Sequence, residues 1–284
     1  MISYCIAVYR PVYARLLLAD LAAKTTAPFE ILLWLNTADE AIEQDIAALA
    51  ARGVPLRVLG RTPENIGMVA YQRLFGEARY PLLVQIDDDV VCVSRGIAER
   101  AHRLFGRFSS VRQLVADVWQ DEFTTGARPA LEHYQPYDAA EGLFNGPIDG
   151  WFSVYHRSIL PLLLALPYSA YCGLGAMVRG KLAARGQLGL LDRGMKVFHV
   201  IGPEYASCFG MLDFEIEKYR RLGRADIVAW YEGWRARPDR VEPPADRVGA
   251  ILAALGQIGA EATTRVDPRA PSGGECRWTV GSST

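Results

Sequence analysis

Runs of consecutive apolar residues alternate along most of this chain with stretches in which apolar residues recur every three or four positions. The first pattern is typical of strands buried on both faces, and the second is typical of helices with one buried face. Strands are predicted at residues 2–8, 29–35, 54–59, 82–86, 111–119, 150–155 and 196–201. Helices are predicted at residues 12–24, 42–50, 68–78, 97–105, 158–166, 173–185, 211–222, 225–235 and 245–255, with Ser94 as the N-cap of the fourth. The alternation predicts an α/β fold with a mostly parallel sheet and helices on both faces.

The strand predicted at residues 82–86 leads into three consecutive carboxylates, Asp87, Asp88 and Asp89. Burying an unpaired carboxylate is costly, so these side chains are expected at the carboxyl end of the strand, where open α/β sheets bind ligands. Side chains two apart in an extended chain point the same way, so Asp87 and Asp89 could face one cation while Asp88 turns toward a structural partner. Carboxylate oxygens suit Mg²⁺ or Mn²⁺. A solvated turn or a helix cap is the alternative interpretation.

The composition narrows the class of protein. Half of the 284 residues are hydrophobic and the net charge is -1, which allows a large core and disfavours binding to nucleic acid. The apolar runs are shorter than the roughly 18 residues that suggest a transmembrane segment, and the N-terminus is charged too early for a signal peptide. We therefore expect a cytoplasmic protein that meets a membrane only through a partner or an acceptor. The five cysteines are scattered, which argues against a disulfide framework or a zinc site.

Residues 120–147 are polar and aromatic and show little periodicity. A segment of this length inside a compact domain is usually functional, so it is predicted to be a binding loop or a lid.

Six segments in a fixed order carry a resemblance to a known family: YCIAVYRP, EILLWLNTADE, RTPENIGMVAYQRLF, LLVQIDDDV, NGPIDGWFSVYHRSI and KVFHVIG. They resemble the nucleotide-sugar-dependent glycosyltransferases of the GT-A fold, most nearly glycosyltransferase family 2 and its relatives, over roughly residues 1–205. The resemblance implies a GT-A catalytic domain, which we place at residues 1–240, followed by a C-terminal helix and flexible tail at 241–284. It also implies metal-dependent transfer from a UDP- or GDP-sugar to a hydroxyl group of a glycan, a lipid-linked sugar or a small molecule.

The resemblance also assigns individual residues to the donor site. Donor binding is implied for Ala7, Tyr9, Arg10, Asn36, Asp39, Asn65, Gly67, Asp87 and Asp88. Asp87 is expected near the donor ribose, and Asp89 and His199 are expected to ligate the Mn²⁺ or Mg²⁺ ion that holds the diphosphate. A plain turn with a helix cap stays open for Asn36 and Asp39, as does an ordinary core histidine for His199.

The base that would activate the acceptor is less obvious. Inverting members of the family carry an acid at the start of the helix after the acceptor strand, where it takes the proton from the attacking hydroxyl. The matching residues 171–176 contain no acid. Asp149 is the predicted substitute, with a simple turn aspartate as the alternative, and Glu204 is a weaker candidate. A retaining mechanism, in which the leaving phosphate accepts the proton, would need no such base.

Trp151 and His156, at the two ends of one predicted strand, are the predicted acceptor-binding residues. Aromatic rings stack on the apolar faces of sugars, so a set of nearby aromatic residues also belongs to the acceptor candidates, although each could equally be a core residue. These are Trp119, Tyr134, Tyr137 and Phe144.

Two other classes of function remain open. A non-catalytic nucleotide-sugar-binding protein would explain the absence of an acid at residues 171–176. A sugar nucleotidyltransferase would share the sheet and the carboxylate-bound metal, but it needs a glycine-rich loop after the first strand, and YRPVYAR has no glycine. A nicotinamide-dependent dehydrogenase is disfavoured for the same reason.

Overall fold

The computed structural model describes residues 1–91, 93–124, 127–168, 173–243 and 247. Apart from position 247, the helix predicted at 245–255 and the C-terminal tail lie outside the described residues, as do Cys92, Cys172 and Cys276. The predicted domain boundary after residue 240 therefore stays a prediction.

Strands and helices alternate through most of the described chain, as the hydrophobic pattern predicted. The strands are β1 (Ile2–Val8), β2 (Phe29–Leu35), β3 (Leu56–Arg61), β4 (Leu82–Asp87), β5 (Val90–Val91), β6 (Val111–Trp119), β7 (Gln135–Asp138), β8 (Leu143–Asn145), β9 (Phe152–His156) and β10 (Leu188–His199). The helices are α1 (Pro11–Lys24), α2 (Glu40–Ala51), α3 (Met68–Glu77), α4 (Ile97–Arg107), α5 (Leu160–Leu164), α6 (Leu174–Ala183), α7 (Pro203–Cys208), α8 (Leu212–Arg221) and α9 (Ala225–Arg235). Within the described ranges, each of these helices is too short or too polar to cross a bilayer.

The strands form one mixed sheet in the order β3-β2-β1-β4-β9-β6-β10-β8-β7, with β5 paired to β10. Strands β3, β2, β1 and β4 are parallel to one another, and β10 is parallel to β6. Strand β9 is antiparallel to both of its neighbours, β4 and β6. Because β1 and β4 are parallel neighbours, with Ala7 opposite Asp87, the residues that follow these two strands meet at one edge of the sheet.

Both faces of the sheet are buried. Along β2, Ile31 and Leu33 pack into one hydrophobic core, whereas Leu32 and Trp34 pack into a second core on the opposite face. Helices α1, α2 and α4 contribute to the first core, and α3, α5 and α6 contribute to the second. This two-sided burial explains why the strands are continuous apolar runs in the sequence.

Some predicted boundaries are wrong where polar residues occupy strand positions. Strand β10 begins at Leu188 rather than at residue 196, because its first half pairs with β6 before an irregularity between Asp192 and Lys196. The supposedly aperiodic segment 120–147 contains the β7–β8 hairpin. The residues of β7 are almost all exposed, so the hairpin leaves no hydrophobic alternation in the sequence.

Ser94 does not cap α4, contrary to the prediction. The helix begins at Ile97 after Gly96, whose φ of 74° lies in the left-handed region that glycine adopts readily. The Ser94 hydroxyl accepts a hydrogen bond from the backbone N–H of Lys196 (3.0 Å). Ser94 therefore ties the start of this segment to β10.

Gly60 leaves room for a tryptophan on the neighbouring strand. It lies opposite Trp34, and a Cβ at position 60 would lie 2.3 Å from the indole ring. Trp34 Nε1 donates a hydrogen bond to Thr62 Oγ1 (3.1 Å), and Thr62 Oγ1 donates one to Asn36 Oδ1 (2.9 Å). Because Gly60 has no side chain, Trp34 can lie where it bonds Thr62, and Thr62 in turn holds Asn36 after the end of β2.

We expect Gly60→Ala to lower the free energy of unfolding by about 1–3 kcal/mol, because the new methyl group must displace the indole of Trp34. Gly76→Ala is the matched control in α3, where a Cβ meets nothing within 4 Å, and it should stabilise the helix by about 0.5 kcal/mol. Urea denaturation of both variants measures the difference. Equal stabilities would contradict the packing described here.

Candidate active site

Asp88 joins the loop after β1 to the turn after β4. Its Oδ2 accepts hydrogen bonds from the backbone N–H groups of Tyr9 (2.6 Å) and Arg10 (2.5 Å), and its Oδ1 accepts one from Arg10 Nε (2.8 Å). The Asp88 side chain is only 3% exposed, so these bonds compensate the cost of burying its charge. Arg10 is therefore the structural partner that the alternation of side chains predicted for Asp88. Asp88 thus fixes the backbone of Tyr9 and Arg10, and its contact with a donor stays a prediction.

Asp87, Asp89 and His199 form the group that is best suited to hold a metal ion. One ligand atom from each side chain lies within 4.8 Å of the other two. The pairing of β5 with β10 brings them together, because Val90 lies opposite His199 and the Val200 N–H donates to Asp89 O (2.8 Å). His199 Nε2 lies 3.2 Å from Asp89 Oδ1, and its Nδ1 is buried with no hydrogen-bond partner among the described residues. Two carboxylates and an imidazole nitrogen fit Mn²⁺ or Mg²⁺.

The protonation of these three side chains is strongly perturbed. Burial, followed by the nearby charge of Asp89, raises the pKa of Asp87 to about 7. Burial would also raise the pKa of Asp89, but the charges of Arg10 and His199 outweigh it and hold this pKa below its usual range. Burial disfavours charged His199, but the Asp89 carboxylate outweighs this effect and raises the pKa of the imidazole. Protons on Asp87 and His199 therefore compete with a cation near neutral pH.

A cavity of about 210 Å³ opens over this group. Most residues that the sequence analysis assigned to the site line the cavity: Ala7, Tyr9, Arg10, Asn65, Gly67, Asp87, Asp88, Asp89, Asp149, Trp151 and His199. Asn36, Asp39 and His156 are not among the residues that line it.

Asp149 faces the cavity from the loop before β9. Its Oδ1 accepts a hydrogen bond from the Gly150 N–H (2.7 Å). Burial raises the pKa of the Asp149 carboxyl, and hydrogen bonds from backbone N–H groups, including those of Gly175 and Ala176 at the start of α6, offset only part of this. Gly175 permits the close approach, since a Cβ there would lie 2.3 Å from the Asp149 carbonyl carbon. Asp149 thus places a carboxylate at the start of α6, where the helix itself carries none.

Asn36 holds a loop beside the cavity, whereas Asp39 caps a helix away from it. Asn36 is 1% exposed, and its Oδ1 accepts hydrogen bonds from Thr62 Oγ1 (2.9 Å) and from the Ile66 N–H (3.3 Å). Asp39 caps α2 by accepting a hydrogen bond from the Ile42 N–H (2.9 Å), and it lines a separate open groove. Both side chains therefore have structural roles, and their contact with a donor stays a prediction.

The structure separates the two predicted acceptor residues. Trp151 lines the cavity, but it is 6% exposed and its Nε1 donates to Ala116 O (2.7 Å), so it is also a core residue. His156 lies at the opposite end of the sheet, because antiparallel β9 places it beside Leu82, at the start of β4. There it hydrogen-bonds Ser158 (2.8 Å). His156 therefore does not line this cavity, and its contact with an acceptor stays a prediction.

The other aromatic candidates also do not line the cavity. They are Trp119, Tyr134, Tyr137 and Phe144. The hydroxyl of Tyr134 donates to Pro147 O (2.5 Å), and Tyr137 packs against Phe108.

Other residues that were not predicted from the sequence also line the cavity, among them Tyr71, Lys218 and Tyr219. The Tyr71 hydroxyl donates to Ile86 O (2.8 Å), directly before Asp87, but the helical pattern around Tyr71 indicated only a buried face. Lys218 and Tyr219 lie on α8, beyond the segments that resemble a known family, and no motif marks them.

The fold of this chain is similar to that of solved glycosyltransferase structures. The mannosyltransferase PcManGT from Pyrobaculum calidifontis, solved with GDP-Man and Mn²⁺, is 14% identical, with a TM-score of 0.53 over 93% of this chain and 83% of that one. S. aureus TarS 1-349 in complex with UDP-GlcNAc is 13% identical, with a TM-score of 0.53 over 89% of this chain and 71% of that one. GalNAc-T7 with UDP, GalNAc and Mn²⁺ is 11% identical, with a TM-score of 0.54 over 82% of this chain and 54% of that one.

At these identities the similarity defines a fold, and the chain has the GT-A fold that its six segments implied. The chain spans only about half of the GalNAc-T7 structure. A scan against models of protein families finds no match, and a search of curated proteins finds none either.

The pKa values make a specific prediction about metal binding. Mn²⁺ should bind about tenfold more weakly at pH 6 than at pH 8, because Asp87, with a pKa of about 7, holds a proton at the lower pH that the ion must displace. The raised pKa of His199 acts in the same direction. Electron paramagnetic resonance of free Mn²⁺ during a titration measures the affinity.

Asp89→Asn should abolish this binding, whereas Asp226→Asn, a change of an exposed carboxylate on α9, should not alter it. An affinity that is independent of pH over this range would contradict the role assigned to Asp87. Normal binding in Asp89→Asn would contradict the metal site itself.

Proposed function

We propose that this protein is a metal-dependent glycosyltransferase that moves a sugar from a nucleotide-sugar donor to a hydroxyl acceptor. The observation that carries the proposal is the group of Asp87, Asp89 and His199, which lies in a cavity at the carboxyl edge of the parallel strands. Open α/β sheets bind ligands at this edge, and the donor set suits the ions that hold diphosphates.

The solved structures of the same fold support this proposal. PcManGT was solved with GDP-Man and Mn²⁺, and GalNAc-T7 with UDP, GalNAc and Mn²⁺. We therefore propose Mn²⁺ or Mg²⁺ as the cofactor of this chain and a UDP- or GDP-sugar as its donor. The acceptor, in this proposal, is a hydroxyl group of a glycan, a lipid-linked sugar or a small molecule.

The residues that follow the parallel strands shape the donor site. Ala7, Tyr9, Asn65 and Gly67 line the cavity, and the Asn65 side chain accepts a hydrogen bond from the Gly67 N–H (2.8 Å) at the start of α3. Asn36 holds the same loop through the Ile66 N–H. The positive end of the α3 helix dipole favours a negatively charged ligand, so this loop suits the donor.

A bound divalent ion supplies positive charge against the departing diphosphate. Asp149 then has the place and the chemistry of a general base, because it lines the same cavity and burial raises the pKa of its carboxyl. A carboxylate with a raised pKa accepts the proton of an acceptor hydroxyl more readily than an ordinary one does. Hydrogen bonds from the backbone N–H groups of Gly150, Gly175 and Ala176 hold this carboxylate in place beside the cavity.

Asp149→Asn should lower the rate of sugar transfer by at least about 100-fold, because an amide cannot take the proton from the attacking hydroxyl. Binding of Mn²⁺ and of nucleoside diphosphates should stay within about twofold of wild type, since the amide keeps the shape of the side chain. The assay measures release of UDP or GDP from a panel of UDP- and GDP-sugars, with Mn²⁺ and a mixture of glycan and small-molecule acceptors. Asp138→Asn, in the β7–β8 hairpin, is the control.

Full activity in Asp149→Asn would exclude this residue as the base and favour a retaining mechanism. A wild-type protein that binds nucleotide sugars but releases no nucleotide with any acceptor would instead be a binding protein, and the transferase proposal would fail.

A further inference from the structure

Helix α8 forms a wall of the cavity that the segments of the sequence resemblance do not include. Lys218, Tyr219 and Leu222, in and just after this helix, line the same cavity as the candidate metal ligands. The Lys218 side chain is 12% exposed. Its positive charge, after those of Arg10 and His199, also helps to lower the pKa of Asp89 against the opposing effect of burial. A buried cation therefore lies beside the candidate metal site.

Arg10, the other fixed cation of the cavity, is already occupied by carboxylates. Its Nη2 lies 2.7 Å from Asp88 Oδ1, and its Nη1 lies 2.5 Å from Asp89 Oδ2 and 3.4 Å from Glu215 Oε1. Its Nε donates to Asp88 as well. A guanidinium has five N–H donors, and three carboxylates already engage all three of its nitrogens. Arg10 is one of the predicted donor-binding residues, and these ion pairs also give it a structural role between the segments after β1 and β4 and helix α8.

Lys218 differs from Arg10 in how much of its hydrogen-bonding capacity the protein uses. An ammonium has three N–H donors. Among the described residues, the carboxylate that bonds Lys218 Nζ is Glu215, through Oε2, and the ammonium also lies 4.1 Å from the centroid of the Tyr219 ring. Glu215 is shared, because its Oε1 pairs with Arg10. Lys218 can therefore donate to a ligand in the cavity without breaking its bond to Glu215.

The electrostatics of the cavity favour an anion at this position. Burial, followed by the positive charge of Arg10, lowers the pKa of Lys218. Both effects destabilise the charged form of Lys218. A negatively charged ligand beside the ammonium would stabilise that form, because its charge would compensate for the lost hydration and for the repulsion by Arg10. A metal ion held by Asp87 and Asp89 would neutralise these two carboxylates, so the diphosphate of a donor is the anion that fits between them and Lys218.

We infer that Lys218 binds the diphosphate of the nucleotide donor, so that α8 completes the donor site from the C-terminal part of the chain. The inference rests on the function proposed above and adds a residue that contacts the leaving group. The positive charge of Lys218 stabilises the negative charge that develops on the diphosphate as the sugar leaves.

Lys218→Met tests this inference, because methionine keeps much of the length of the side chain and removes its charge. With Mn²⁺ present, the variant should bind UDP or GDP about 10- to 100-fold more weakly than wild type, which is the loss expected for one charge-assisted hydrogen bond. Binding of the matching nucleoside, uridine or guanosine, should not change. Calorimetric titration of all four compounds measures this difference, which a merely structural role would not produce.

Three controls make the test specific. Lys181→Met makes the same substitution at an exposed position of α6 and should have no effect. Lys218→Arg keeps the charge and should retain most of the affinity for the diphosphate. Glu215→Gln combined with Lys218→Met removes both partners of the buried pair, and it replaces the single variant if that variant fails to fold.

The outcomes separate this inference from the proposed function. Wild-type affinity for UDP and GDP in Lys218→Met, or equal losses for the diphosphates and the nucleosides, would overturn the inference and leave the proposed function standing. If wild-type protein binds none of the four compounds, the proposed function fails and the inference fails with it.

Discussion

The ion pairs of Arg10 hold together the part of the protein on which the rest of the site depends. Strand β4 delivers Asp88 and Asp89 to positions where each is 3% exposed, and unpaired carboxylates there would strongly destabilise the fold. Arg10, directly after β1, pairs with both of them and with Glu215 on α8. One guanidinium thus joins the segment after the first strand, the acidic turn and a C-terminal helix beside the cavity that Asp87 and Asp89 line.

The sequence was sufficient to predict the parts of the fold that follow from burial alone. Strands β1, β2 and β6 have the predicted ends, because burial on both faces makes most of their residues apolar. The position of Asp87–Asp89 at the sheet edge follows from the cost of burying charge. The proximity of His199 to the acidic turn could not be predicted from hydrophobicity or charge, because His199 lies 110 residues after Asp89. It was predicted from the resemblance of the six segments to a known family.

What the sequence could not predict depends on contacts between distant residues. The direction of β9 sets which end of that strand reaches the site, and its antiparallel course brings Trp151 to the cavity and takes His156 away from it. Asp149 reaches the start of α6 only because position 175 lacks a side chain. Lys218 lies in a helix whose many charged residues are typical of a solvated surface. Its position in the cavity depends on Glu215, which bonds to Lys218 and also pairs with Arg10.

In the proposed function, the acidic edge of this sheet holds a divalent ion together with a nucleoside diphosphate. Calorimetric titration of UDP and GDP into wild-type protein and Asp89→Asn, each with and without Mn²⁺, tests it most directly. The structure predicts that one of the two nucleotides binds wild-type protein in a Mn²⁺-dependent way and that Asp89→Asn loses this dependence. Binding of neither nucleotide, or equal binding with and without the ion, would contradict the account.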